Sequence, residues 1–120
     1  MALRTFDVAA LPTEDVSGFD EHLLAGERTE LGYRGEATTV LFTDRRIVMV
    51  QRQIVISEWI ETTSISYRAV RQFSLSRPAA GEGRTEFRIL IESEPHPLHL
   101  RAAPGTDFTP LQALLAARLE

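Results

Sequence analysis

From Glu27 to Arg101 apolar and polar residues recur with a period close to two, in short runs rich in Val, Ile, Thr and Phe. A period of two sends successive side chains to opposite faces of a strand, so this stretch reads as a series of antiparallel hairpins. Seven strands are predicted, at Thr29 to Tyr33, Thr38 to Thr43, Ile47 to Arg52, Glu58 to Ser64, Ala69 to Ser76, Thr85 to Ser93, and Pro97 to Ala102. Turn chemistry separates them at Arg34-Gly35-Glu36, at Thr43-Asp44-Arg45 and along the Pro78 to Gly83 connection.

The last two strands alternate most cleanly. Phe87, Ile89, Ile91, Leu98 and Leu100 fall on one face, and Arg88, Glu92, His99 and Arg101 on the other, so the first set is expected in the core. The second and third strands behave differently. If Val40, Phe42, Val48 and Val50 fill the core, Leu41, Ile47 and Met49 point outward and need a cover, either the N-terminal segment or another subunit. On that reading Met49→Glu shifts an assembly toward monomer without unfolding it.

Both ends read as helix. After a loosely held arm over residues 1–12, Thr13 is a candidate N-cap, Glu14 and Asp15 suit the positive end of the dipole, and Phe19, Leu23 and Leu24 recur at helical spacing, with Gly26 as the stop. Near the C-terminus Thr109-Pro110-Leu111-Gln112 has the spelling of a capping box, and Leu111, Leu114, Leu115 and Leu119 form an apolar stripe preceded by Phe108. Residues 13–120 are therefore expected to form one domain, a seven-stranded barrel whose apolar mouth the C-terminal helix closes.

Composition narrows the classes. The chain has 120 residues and no cysteine, which removes disulfides and thiolate metal sites and fits a reducing compartment. Met1-Ala2-Leu3-Arg4-Thr5-Phe6-Asp7 does not have the form of a secretory signal, and no apolar run approaches the ~20 residues of a membrane span, so a soluble cytoplasmic protein is expected. All thirteen basic residues are arginine and the net charge is −4. Residues 1–33 carry two Arg against seven acids, residues 34–77 seven against four, and residues 78–120 four against six. An acidic chain without lysine is a poor binder of nucleic acid, whereas its positive middle segment can meet the acidic segment of another copy.

Several segments together resemble the bacterial pleckstrin-homology (PH) family: His22-Leu23-Leu24-Ala25-Gly26-Glu27, Val40-Leu41-Phe42-Thr43-Asp44-Arg45-Arg46-Ile47, Thr63-Ser64-Ile65-Ser66-Tyr67-Arg68-Ala69-Val70, and Gly105-Thr106-Asp107 before the last helix. The likeness spans roughly residues 22–119. It implies a mainly β, PH-like seven-stranded antiparallel barrel with a C-terminal α-helix, in a small cytoplasmic protein of mostly unassigned role from a family of symmetric ring-like homo-oligomers; no cofactor is expected. One departure is the stretch from Gln51 to Ser57, which lacks the glycine common at that turn and predicts a longer or differently bent hairpin.

Candidate chemistry is sparse. His96 and His99, with Glu92 and Glu94 nearby, have a metal-like spelling, but residues three apart on a strand face opposite ways and Pro95 and Pro97 interrupt the ladder, so no metal site is expected. No nucleophile, P-loop or dinucleotide motif appears, and Gly81-Glu82-Gly83 is too short to be one. The function expected is a non-catalytic protein-binding or scaffold module that self-associates, with Leu41, Arg45, Arg46, Ile47, Met49 and Trp59 as candidate interface residues. Trp59 is either a core filler or an interface anchor. The alternative is recognition of an anionic membrane or phosphorylated ligand through Arg34 and Arg52, a weaker reading because two scattered arginines make no polyphosphate cage.

Overall fold

Described over residues 5–54, 56–79 and 83–119, the computed structural model is mainly β, as the periodicity predicts. Its elements run β1 Thr5–Ala10, a 3-10 helix Thr13–His22, β2 Thr29–Arg34, β3 Thr38–Thr43, β4 Arg46–Ile54, β5 Glu58–Ser66, a 3-10 turn Tyr67–Ala69, β6 Val70–Ser76, β7 Thr85–Ile91, β8 Leu98–Ala102 and α1 Thr109–Arg118. Eight strands thus stand among the described residues where seven are expected. Residues 1–4 of the arm, and residues 80–82 of the Pro78 to Gly83 connection with its Gly-Glu-Gly spelling, lie outside the described residues. Two compact units divide the chain, Ala10–Ser66 and Met1–Ala9 with Tyr67–Glu120.

In the unit Ala10–Ser66, the strands run in the order β5-β4-β3-β2 and all neighbours are antiparallel. The β3–β4 register pairs Val40 with Met49, Phe42 with Ile47, and Leu41 with Val48. Side chains directly opposite share a face, so Val40, Phe42, Ile47 and Met49 lie together and Leu41, Val48 and Val50 lie on the other side. This corrects the expected division. Asp44 and Arg45 form a two-residue turn between Thr43 and Arg46, and such a turn sets even positions of one strand opposite odd positions of the next.

A second correction follows from burial. Leu41 and Ile47 are fully buried within the chain and Met49 is 1% exposed, so none of the three points to solvent. All six residues of β3 are buried. Val16, Phe19 and Leu23 of the segment around the 3-10 helix pack on Leu11, Leu41, Val48 and Val50, which makes the N-terminal segment the cover for that face. Thr13 is not the cap of this helix: Pro12 occupies that position, no side chain caps it, and the Pro12 carbonyl accepts from the Asp15 amide at 2.9 Å. Its ten residues wind as a 3-10 helix, a form uncommon beyond three or four residues, and none of them is fully buried.

In the other unit the order is β1-β8-β7-β6, with β1 parallel to β8 and Thr5 opposite His99. The first residues of the chain that are described are therefore held in a sheet rather than free. Phe87, Ile89, Leu98 and Leu100 are all fully buried, and Phe87 pairs with Leu100 and Ile89 with Leu98, on the face the alternation predicts. Phe87 stacks on Phe73 at 5.9 Å between ring centres and meets Phe108 at 5.7 Å. Leu111 and Leu115 of α1 are fully buried, whereas Leu119 is 38% exposed. The capping box is not formed. Phe108 is the N-cap, and Asp107 Oδ1 accepts from the Thr109 amide at 2.8 Å, so the carboxylate of the residue just before the N-cap satisfies a helix-end donor.

Candidate functional site

Two of the segments that carry the family resemblance meet around a buried ion pair. Glu27 follows a turn at Gly26, whose φ of +79° favours glycine, and its carboxylate is fully buried. It accepts from the Leu24 amide at 2.9 Å, from Thr43 Oγ1 at 2.7 Å, and from Arg46 Nε and Nη2, both at 2.9 Å. Thr43 Oγ1 in turn accepts from the Arg45 and Arg46 amides, and Arg46 also donates to Ser64 Oγ and to the His22 carbonyl. The guanidinium hydrogen-bonded to Glu27 holds its carboxyl down at about 2 against the opposing effect of burial. Arg46, a candidate interface residue, is thus committed within its own chain. Asp44, in the same turn, accepts from the Arg28 amide at 2.9 Å rather than from the turn's own backbone, whose Arg45 and Arg46 amides go to Thr43. This latch joins the end of the 3-10 segment to the β3–β4 turn and is structural in character.

Arg34 and Arg52, far apart in sequence, line one cleft of about 250 Å³ together with His22, Phe19, Val50 and Ile60. Glu21 and Glu36 line it too, and Arg52 Nε lies 3.3 Å from Glu58. Two cations balanced by two anions form no concentrated positive field.

The remaining candidate, Trp59, is 65% exposed and so is no core filler. Around it Ile54 is 71%, Ile56 99% and Ile60 57% exposed. All four belong to the β4–β5 hairpin, whose nine-residue ladder runs from Arg46 opposite Ser66 to Ile54 opposite Glu58. Ile60 is opposite Arg52 and Trp59 opposite Gln53, so the exposed apolar side chains occupy both faces of the hairpin near its tip. Of this group, the neighbouring pair Trp59 and Ile60 is the part conspicuous in the sequence. The signal for Ile54 and Ile56 is the unbroken apolar run Ile54-Val55-Ile56 just before that pair, where a turn ordinarily carries polar residues.

Both ring nitrogens of His99 have protein partners. Its Nε2 lies 2.5 Å from Glu86 Oε1 and its Nδ1 3.0 Å from Thr5 Oγ1, which ties β1 to β7 and β8, while His96 is exposed in the preceding turn. No three His, Asp or Glu side chains converge among the described residues. Nor is any described helix long and apolar enough to cross a membrane.

Comparison with known proteins agrees with this architecture. The family model for the bacterial PH domain matches residues 7–119. An uncharacterized protein of Bacillus subtilis (strain 168), YjqA, is 29% identical over 69 residues, 58% of this chain, and the match spans only 55% of that relative's length. A DUF1696-family protein with a pleckstrin-homology domain from Shewanella loihica PV-4 superposes with a TM-score of 0.75 at 20% identity, over 96% of this chain and 99% of that one. The pleckstrin homology domain from Shewanella amazonensis SB2B gives 0.65 at 21% identity, over 89% and 86% of the two chains. A PH-domain-containing protein from Exiguobacterium sibiricum 255-15 gives 0.68 at 13% identity, over 94% and 62%. The fold is that of a pleckstrin-homology domain, and with the family model covering nearly its whole length, the chain belongs to the bacterial PH domain family.

Proposed function

We propose that this domain is a non-catalytic binding module that associates with further copies of itself through the β4–β5 hairpin. One observation carries the reading: Ile54, Ile56, Trp59 and Ile60, from 57% to 99% exposed, gather on the tip of a terminal hairpin. Large apolar groups left in water on so small an element cost free energy that a partner recovers, and buried tryptophans are prominent among the residues that dominate interface energy. β5 ends the strand order, and an edge strand is a template that a second chain can extend. Leu41, Ile47 and Met49, being buried within the chain, have no part in this surface. Met49→Glu is now expected to place a charge in the core and unfold the unit rather than separate subunits.

Light scattering coupled to size exclusion, at high micromolar concentration, tests the proposal. The wild type is expected at a multiple of 13.5 kDa, and Trp59→Ser at the monomer mass with unchanged circular dichroism. A monomeric wild type overturns it.

A further inference from the structure

At β6 the core of its unit is left partly uncovered. Phe73 and Leu75 of β6 stand opposite Ile89 and Phe87 of β7, so all four share the core face. Ile89 and Phe87 are fully buried, whereas Phe73 and Leu75 are only partly so. Position accounts for the difference: β7 has a strand on each side, and β6 ends the order with β7 as its one partner among the described strands. α1 runs beside this edge, antiparallel to β6. At one end the Arg118 guanidinium lies 5.8 Å from the centre of the Tyr67 ring, just before β6, and at the other Leu75 and Phe108 line one cleft of about 430 Å³ with Arg77, Thr85 and Thr106.

The charge along this edge is nearly of one sign. From Tyr67 to Gly81 the sequence has three arginines and no acid. Arg71 and Arg77 are exposed, and among the described residues neither has a carboxylate within ion-pair distance. Asp107 lines the cleft too, its Oδ1 accepting from the Thr109 amide, and offsets part of the charge of Arg77. Charged side chains are a usual means of keeping strands off an open edge. A row of one sign also selects: a second β6 would set arginine against arginine and be repelled, whereas an acidic strand would be drawn in.

We infer that β6 takes up an extended acidic peptide of a partner protein as a further strand, with carboxylates set against Arg71 and Arg77 and apolar side chains over Phe73 and Leu75. A strand added outside β6 lies about 4.8 Å from it, so its alternate side chains continue the core face. Main-chain pairing then supplies affinity, and the arginines with the uncovered core supply the choice of sequence. The site belongs to the unit without the β4–β5 hairpin and does not depend on self-association.

Two labelled octapeptides test it, one alternating glutamate with valine and one alternating lysine with valine, titrated at low salt into the wild type and into Arg71→Glu combined with Arg77→Glu. Fluorescence anisotropy is expected to show the glutamate peptide binding the wild type at least about tenfold more tightly than the lysine peptide, with the order reversed in the double variant. The chain as a whole carries −4, so unspecific attraction favours lysine, and a preference for glutamate reports a local site. Both replaced side chains are exposed, and an unchanged circular dichroism spectrum is expected. A glutamate peptide methylated at every backbone nitrogen keeps its charge but donates no main-chain hydrogen bond, and is expected to bind about tenfold more weakly or worse. In the wild type alone, amide chemical shifts are expected to move along residues 70–76. Failure of the glutamate peptide to bind, equal affinity for the two peptides, undiminished binding of the methylated one, or shifts along β5 in place of β6 would each overturn the assignment.

Discussion

Glu27 shows how one residue can carry an element's stability. Its carboxylate is fully buried against Arg46, and removing one partner of such a pair leaves an uncompensated charge out of water. Arg46→Met is therefore expected to cost about 3–5 kcal/mol in chemical denaturation, with Glu27→Leu combined with Arg46→Met recovering much of that loss. Acidity gives a second handle on the pair. The Glu27 carboxyl titrates at about 2 in the folded chain against an ordinary 4.5. Since the folded value is the lower one, the stabilisation is full above the unfolded value and is lost as pH falls from about 4.5 toward 2, roughly 3 kcal/mol in all. Glu27→Gln should flatten the unfolding free energy over that window relative to wild type, and an identical slope in the two proteins would refute the assignment. Gly32 is a different kind of constraint. A β-carbon there would come within 2.9 Å of Leu11 Cδ2 and 3.2 Å of Leu41 Cδ2. Gly32→Val is expected to destabilise by about 1–3 kcal/mol through overpacking, read from the denaturation midpoint.

Among the elements, the 3-10 helix Thr13–His22 is the one whose hold on the fold is narrowest. It touches the sheet through Val16 and Phe19, with Leu23 just beyond it, and none of its ten residues is fully buried, whereas β3 is buried along its length. Local opening free energy follows buried apolar contact, so amides of residues 15–22 should exchange with deuterium well before those of β3 and β4. Phe19→Ala should widen the gap, and equal protection across both segments would contradict the argument. How far each element was legible follows from the same physics. The β7 and β8 faces could be read because one side of that sheet is buried and alternation reports it directly. The β3 and β4 faces could not, because turn length decides which parities share a face and both sides of the strands are covered. β1 went unseen because its ladder is parallel and joins Thr5 to His99, 94 positions away, with no local signal for the pairing. The Glu27–Arg46 latch was present as spelling in two separate motifs, but nothing in either says that they meet. Arg34 and Arg52 were legible as cations, yet not as neighbours of Glu21 and Glu36.

At the scale of the whole molecule the charge is partitioned. The unit Ala10–Ser66 holds five arginines against ten acids, net −5, and the rest of the chain holds eight against seven, net +1, which together give the −4 of the sequence. Arg34 and Arg52 thus sit in the more acidic unit, in a cleft they share with two carboxylates. Each cation near an anionic surface contributes only about 1 kcal/mol and is opposed here by repulsion of the surrounding acids. Vesicles rich in phosphatidylserine should therefore leave the protein in the supernatant even at low salt, and pelleting that Arg34→Glu abolishes would establish the membrane reading instead. A neutral bilayer poses a separate challenge to self-association, since a hairpin tipped with Trp59 and three isoleucines has the composition of an interfacial wedge. Trp59 is the sole tryptophan, so its emission reports the hairpin alone. If another copy is the occupant, the emission shifts to the blue with protein concentration and is indifferent to phosphatidylcholine vesicles. If lipid is the occupant, the shift follows vesicle concentration and persists in dilute protein.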